Sequence, residues 1–161
     1  MSFKEELIQM TDKAGQEFLL NVRAMPPDKL TWKPLDTGRS ALDLLQEVAQ
    51  SASYVIPILE TRQVPDFNAE MFTGLMAERQ TWDTIEKCES VMKANHARLF
   101  EIIRDFPDED LQQTVHLPFA GGFDQTMAEI MSYQYWNLSY HLGQVCYIQT
   151  LYGDMEMRVA P

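Results

Sequence analysis

The chain has 161 residues, 45% of them apolar, and 24 acidic against 13 basic side chains give it a formal net charge of −11. That length suits a single domain, 1–161, that buries roughly two-thirds of its unfolded surface. The acidic balance and the lack of clustered Lys and Arg exclude nucleic acid and anionic membranes as partners, since phosphate binding needs such clusters.

In chain order, four segments carry helix-start chemistry: a side-chain oxygen caps free backbone N–H groups, and an acid three residues on reaches back. They are Ser2…Glu5, Ser40…Asp43, Asp83…Glu86 and Thr126…Glu129, each followed by apolar residues at helical spacing. The expected helices are Ser2–Met25, Ala41–Arg62, Asp83–Phe106 and Thr126–Tyr152. Pro57 should kink or shorten the second, and Gly153 suits the end of the fourth. Pro26-Pro27-Asp28 closes the first helix and leads into an extended stretch, Leu30 to Pro34. Val64 to Gln80 is the long link, with a short helical turn expected around Met71 to Glu78. Thr114 to Phe119, followed by Gly121-Gly122, reads as a short extended pair or hairpin. These elements form an all-α, up-down four-helix bundle with one long crossover connection.

The N-terminal segment Met1-Ser2-Phe3-Lys4-Glu5-Glu6 has no apolar leader core and no run approaches ~18 apolar residues, so the expected location is the cytoplasm. Cys88 and Cys146 are isolated on different helices and read as packed thiols rather than a disulfide or a nucleophile.

The most informative residues lie in the fourth helix, which is apolar nearly all round and therefore central. One face nevertheless reads Ile130, Gln134, Asn137, His141, Gln144, Ile148. A polar seam in a buried helix costs free energy unless its members pair or bind something, so this face is the leading site candidate. Glu47 falls on or beside the buried face of the second helix, where an unpaired carboxylate would be costly, and is either a solvent-edge residue or a partner of His141. His96 follows Asn95 on the third helix, with a minor claim on the polar interior; His116 sits in the hairpin, exposed. Tyr133, Trp136, Tyr140 and Tyr147 read as core or subunit-interface packing, with a small-molecule pocket as the lesser reading. Asp105 and Asp108 to Asp110 form a solvated acidic turn, and Glu89 with Lys93 an ordinary surface pair.

Leu30-Thr31-Trp32-Lys33-Pro34, Ser40-Ala41-Leu42-Asp43-Leu44-Leu45, Pro118…Gly121-Gly122 and Tyr140-His141-Leu142-Gly143-Gln144, in this order and spacing, resemble the DinB-like superfamily over nearly the whole chain. Its members are four-helix bundles, many regarded as metalloenzymes, and include bacillithiol- and mycothiol-dependent transferases and isomerases. The resemblance implies a divalent metal held by three histidines, one seven residues after the Ser cap of the second helix and two in an H-x-x-x-H pair on the fourth. Those places are Glu47, Asn137 and His141 here, so two of three imidazoles are replaced, one by carboxylate and one by amide. Zinc, nickel, manganese or iron would be held weakly or not at all, because a neutral amide oxygen is a poor donor to a zinc-like ion.

Two functional readings therefore stand side by side. One is a metal-dependent thiol transferase or hydrolase-like enzyme using Glu47, Asn137 and His141, with Glu47 and His141 as the catalytic candidates and a low-molecular-weight thiol as partner; its metal-free variant uses Glu47 to orient His141 as a general base. The other is a metal-free small-ligand-binding or stress-response module whose site has decayed, with Gln134, Asn137 and Gln144 lining the pocket. A homodimer built through helical surface is expected in either case.

Overall fold

A computed structural model describes residues 2–161. Four long helices dominate it: α1 (Phe3–Arg23), α3 (Ala41–Thr61), α5 (Ile85–Asp105) and α6 (Met127–Leu151). Between them lie the one-turn helix α2 (Pro27–Leu30), the helix α4 (Ala69–Arg79) and the strands β1 (Thr114–Leu117) and β2 (Phe123–Thr126), which pair antiparallel with Leu117 opposite Phe123. No helix among the described residues is long and apolar enough to cross a membrane.

Three of the four expected caps form as capping boxes, at Ser2/Glu5, Ser40/Asp43 and Thr126/Glu129. The fourth does not: Thr84, one residue later, caps α5 by accepting from the Lys87 N–H, while Asp83 pairs with the Lys87 ammonium at 2.7 Å. Pro57 does not shorten α3, which runs on to Thr61 and ends at Arg62 in the left-handed conformation. The turn expected around Met71 is a full helix because Asn68 caps it through the Met71 N–H. Pro27 begins α2, a single turn before the irregular segment that follows, so the extended stretch starts later than its sequence suggests. Gly153 has φ +90 just past Tyr152, where the last turn of α6 unwinds.

Contacts between helix ends give the helix directions. Arg23 meets Glu89 at 2.5 Å and Lys4 donates to the Phe106 carbonyl at 2.8 Å, so α1 and α5 are antiparallel. Gln46 reaches the Trp82 carbonyl just before α5 and Glu60 pairs with Arg98 near its end, so α3 and α5 run parallel. Gln149 of α6 donates to Asn21 O of α1 while Leu7 and Met127 share the apolar cluster at the other end, so α1 and α6 are parallel too. The bundle runs up, down, down, up, and the link holding α4 is the crossover that makes two consecutive long helices parallel. α1 packs chiefly on α5 and α6, and α3 on the same pair, which leaves α1 and α3 on one diagonal.

The core is divided across its length. One apolar cluster holds Phe18, Leu45, Met92 and Leu138; the other holds Leu7, Leu59, Leu99 and Met131. Between them each long helix places a buried polar residue: Thr11, Ser51, His96 and Gln134. Ser51 Oγ donates to Gln134 Oε1 at 2.5 Å, and Gln134 Nε2 donates to the Val48 carbonyl and to His96 Nε2, both at 3.0 Å. Gly15 makes room for this layer: a Cβ there would stand 3.2 Å from His96 Cε1.

Candidate functional site

Glu47 and His141 come from antiparallel neighbours, α3 and α6, one turn along α3 and two along α6 from the polar layer, and their side chains meet. His141 Nε2 lies 3.1 Å from Glu47 Oε1, and His141 Nδ1 lies 2.6 Å from Gln144 Oε1, its neighbour one helical turn on. Both ring nitrogens are thus engaged, one by the Glu47 carboxylate and the other by the Gln144 side-chain amide, which fixes the orientation of the ring. The His141 side chain is 5% exposed and that of Glu47 24%.

Two arginines complete the surroundings of Glu47. Arg39, just before the Ser40 cap, donates to Glu47 Oε2 at 2.5 Å, and Arg79, the last residue of α4, places Nη1 3.5 Å from the same oxygen. The His141 hydrogen bond first, and then the charges of Arg39, His141 and Arg79, outweigh burial and hold the Glu47 carboxyl down at about 2. Such a carboxylate is a weak proton acceptor, far from the near-neutral value that suits a general base.

Arg79 is anchored on its other sides. Its Nε donates to Gln50 Oε1 at 2.5 Å and its Nη2 to the Tyr54 hydroxyl at 2.6 Å. Gln50 in turn donates to the Leu75 carbonyl of α4. The Tyr54 hydroxyl is pushed up by burial.

Arg79, Glu47 and Tyr54 stand at one end of a cleft of about 930 Å³ between α3, α4, α6 and the hairpin. Its walls are apolar: Ile58 from α3, Met76 from α4, Phe119 from the hairpin, Tyr133 and Trp136 from α6. Phe67, ahead of α4, packs on Phe119 at 5.1 Å and on Phe72 at 6.2 Å, which ties the crossover to the hairpin and roofs the cleft. A second groove of about 480 Å³ lies on the far side of Arg39, between the segment around Leu35 and the Tyr140, Gly143, Tyr147 side of α6.

The other sequence candidates fall as follows. Asn137 is buried with its Oδ1 lacking any hydrogen-bond partner. Gln134 is absorbed in the polar layer with Ser51 and His96 and lines neither cavity, while Gln144 orients His141 and borders the second groove. His96, with a minor claim in the sequence, is the buried acceptor of that layer, and burial pushes it down to about 4. His116 is exposed but pairs across the hairpin with Asp124 at 2.7 Å. Cys88 is buried, and burial pushes its thiol up to about 11, which suits packing and not nucleophilic attack. The acidic turn is partly tied down, Asp108 to Lys4 at 2.8 Å and Asp110 to Arg62 at 3.0 Å. Trp136, Tyr140 and Tyr147 are 54%, 53% and 66% exposed, so they belong to the surface of α6 and not to its core.

Arg39, Arg79 and Tyr54 are the members the sequence does not single out. Arg39 had one signal, its place directly before a capping serine eight residues ahead of Glu47. Arg79 had none, since only the return path of the crossover brings it to α3.

Glu47 and His141 converge at the places the family resemblance assigns to a metal, but the donors do not fit a tightly held divalent ion. Both His141 ring nitrogens are already engaged by Glu47 and Gln144, Glu47 Oε2 already faces two guanidinium groups, and Asn137 offers only an amide oxygen. Among the described residues no group of three or more His, Cys, Asp or Glu side chains gathers around a common point.

Residues 10–145 match the sequence profile of the DinB superfamily. Two solved structures from Bacillus subtilis have the same fold. YfiT, described as a probable metal-dependent hydrolase with an unusual four-helix bundle topology, is 13% identical, with 93% of this chain and 87% of that one covered and a TM-score of 0.76. The DinB-like protein YjoA is 12% identical, with 97% and 96% covered and a TM-score of 0.63. No curated protein matches the sequence.

Proposed function

We propose that this chain, which belongs to the DinB superfamily, is a small-molecule-binding protein that works without a tightly held metal. The observation that carries this reading is the cleft of about 930 Å³, apolar along its walls and ending at a carboxylate already matched by His141, Arg39 and Arg79. Sites for small molecules combine this scale of apolar cavity with a few placed polar groups. In this reading the family's cation is supplied by the chain itself, as the guanidinium groups of Arg39 and Arg79, and Glu47 positions those cations rather than moving protons.

The enzyme reading, a thiol transferase or hydrolase with metal at Glu47, Asn137 and His141, has one observation in its favour: Asn137 Oδ1 is buried with its hydrogen-bonding capacity unused. Metal loading separates the two. Purified protein exposed to zinc, nickel, manganese or iron and then mildly chelated is expected to keep well under one ion per chain by elemental analysis. Asn137→His, which restores an i, i+4 histidine pair with His141, is expected to raise affinity by at least ~10-fold, the order lost when ligand support is removed. One ion per unmodified chain that survives chelation would overturn the metal-free reading and favour the enzyme.

A further inference from the structure

The charged end of the cleft is unevenly satisfied, and the imbalance identifies what it would take. A guanidinium has five N–H donors in a fixed plane. Arg79 uses two of them well, Nε on Gln50 and one Nη2 hydrogen on Tyr54. Its Nη1 has only the Met76 thioether at 3.7 Å and the Glu47 carboxylate at 3.5 Å, both long contacts. The Arg79 side chain is 12% exposed, so few of its remaining hydrogens are turned to open solvent. A nearly buried cation with donors to spare, at the end of an apolar cavity, is built for an acceptor that arrives attached to an apolar body.

The charges facing that position decide the sign. Glu47 is the nearest carboxylate, 3.5 Å from Nη1, but its oxygens are already engaged more closely by the His141 ring at 3.1 Å and by Arg39 at 2.5 Å. Glu129, which also lines the cleft, is held in the Thr126 capping box. Glu78 also stands beside this cluster, where its carboxylate accepts from Gln50 at 3.3 Å, so what Arg79 has to spare is hydrogen-bond capacity at Nη1, filled only by long contacts. The acidic residues outside the cleft oppose an anion from a distance, where salt screens them beyond ~8 Å at physiological ionic strength.

We infer that the cleft binds an amphipathic carboxylic acid, its carboxylate on Arg79 Nη1 and Nη2 and its hydrocarbon body along Ile58, Met76, Phe119 and Trp136. This rests on the ligand-binding reading above and gives it a ligand class. The alkyl body supplies most of the affinity by burial, and Arg79 supplies the preference for an anion.

Isothermal titration calorimetry with dodecanoate, dodecan-1-ol and dodecyltrimethylammonium, which share one tail and differ in head group, tests it. Dodecanoate is expected to bind about tenfold more tightly than the alcohol, the scale of a charge-assisted hydrogen-bonded pair, and the ammonium most weakly. Arg79→Leu is expected to remove that preference while alcohol binding persists, which also shows that the cleft is still folded. Arg79→Lys should keep a reduced preference. Equal binding of acid and alcohol, or tighter binding of the ammonium, would overturn the inference and leave the ligand-binding reading standing. No binding of any of the three would overturn both.

Discussion

Replacing Glu47 with Gln keeps the side-chain volume and removes one charge, which makes the energetic weight of the cation cluster measurable. Folding lowers the Glu47 pKa from 4.5 to about 2. The folded state therefore favours the ionised form, so this stabilisation is whole above about pH 4.5 and is lost as pH falls toward 2. At about 1.4 kcal/mol per pH unit the full effect would be about 3 kcal/mol. The side chain is 24% exposed, and solvent screening there reduces the expected contribution to about 2 kcal/mol. Gln at 47 would also leave the Arg39 and Arg79 guanidinium groups facing a neutral amide, a destabilising arrangement. Urea denaturation at pH 7 should show Glu47→Gln less stable by about 2 kcal/mol, with the gap falling below half its size by about pH 3 as the unmodified protein loses the same interaction. Equal stability at pH 7, or a gap that does not change between pH 7 and pH 3, would refute the reasoning.

His96 provides an independent pH probe in the polar layer. Burial lowers it from 6.5 to about 4, so it should stay neutral through pH 5, and the stability tied to it should be lost as pH falls from about 6.5 toward 4. Its ring proton resonances in NMR should titrate near pH 4; a midpoint between 6 and 7 would show that the ring is not desolvated as described. Self-association is expected through the outer face of α6. No Asp, Glu, Lys or Arg occurs from Ile130 to Tyr152, and Trp136 stacks on Tyr140 at 5.3 Å on that exposed face, so two strongly acidic chains can meet there without opposing carboxylates. Light scattering at micromolar concentration should give twice 18.6 kDa, and a mass of 18.6 kDa would refute the pairing.

The helices were legible in the sequence wherever a cap and an apolar period agreed. Ser2, Ser40 and Thr126 all start helices within a residue of their expected positions because the cap acts locally. Asp83 failed for a local reason as well: Thr84 competes for the same task, and the Lys87 ammonium draws the aspartate away. α4 was only half visible, since its period is weak and its stabilising contacts, Arg79 with Gln50 and Tyr54, depend on the crossover's return to α3. The candidate site divides the same way. The meeting of Glu47 with His141 followed from family positions on two helices. Arg39 and Arg79, which change the character of that meeting, are invisible without the tertiary path, and Gln134 was misplaced because helical spacing groups it with His141 although its bonding partners lie on α3 and α5.

The buried polar layer also acts on the alignment of the helices. Four apolar stripes could slide along one another by a turn, about 5.4 Å, and still bury similar area. Here such a slip would carry Gln134 away from both Ser51 and His96 into surroundings of Leu, Met and Val, stranding three hydrogen-bonding side chains at once, each at a cost of about 1–3 kcal/mol. The layer thus works as a registration key, set by Gly15 on one side, whose missing side chain admits the His96 ring. Glu47 meets His141 beyond that layer, one turn along α3 and two along α6, only because that key has seated, so the geometry of the charged cluster is inherited from residues that never touch it.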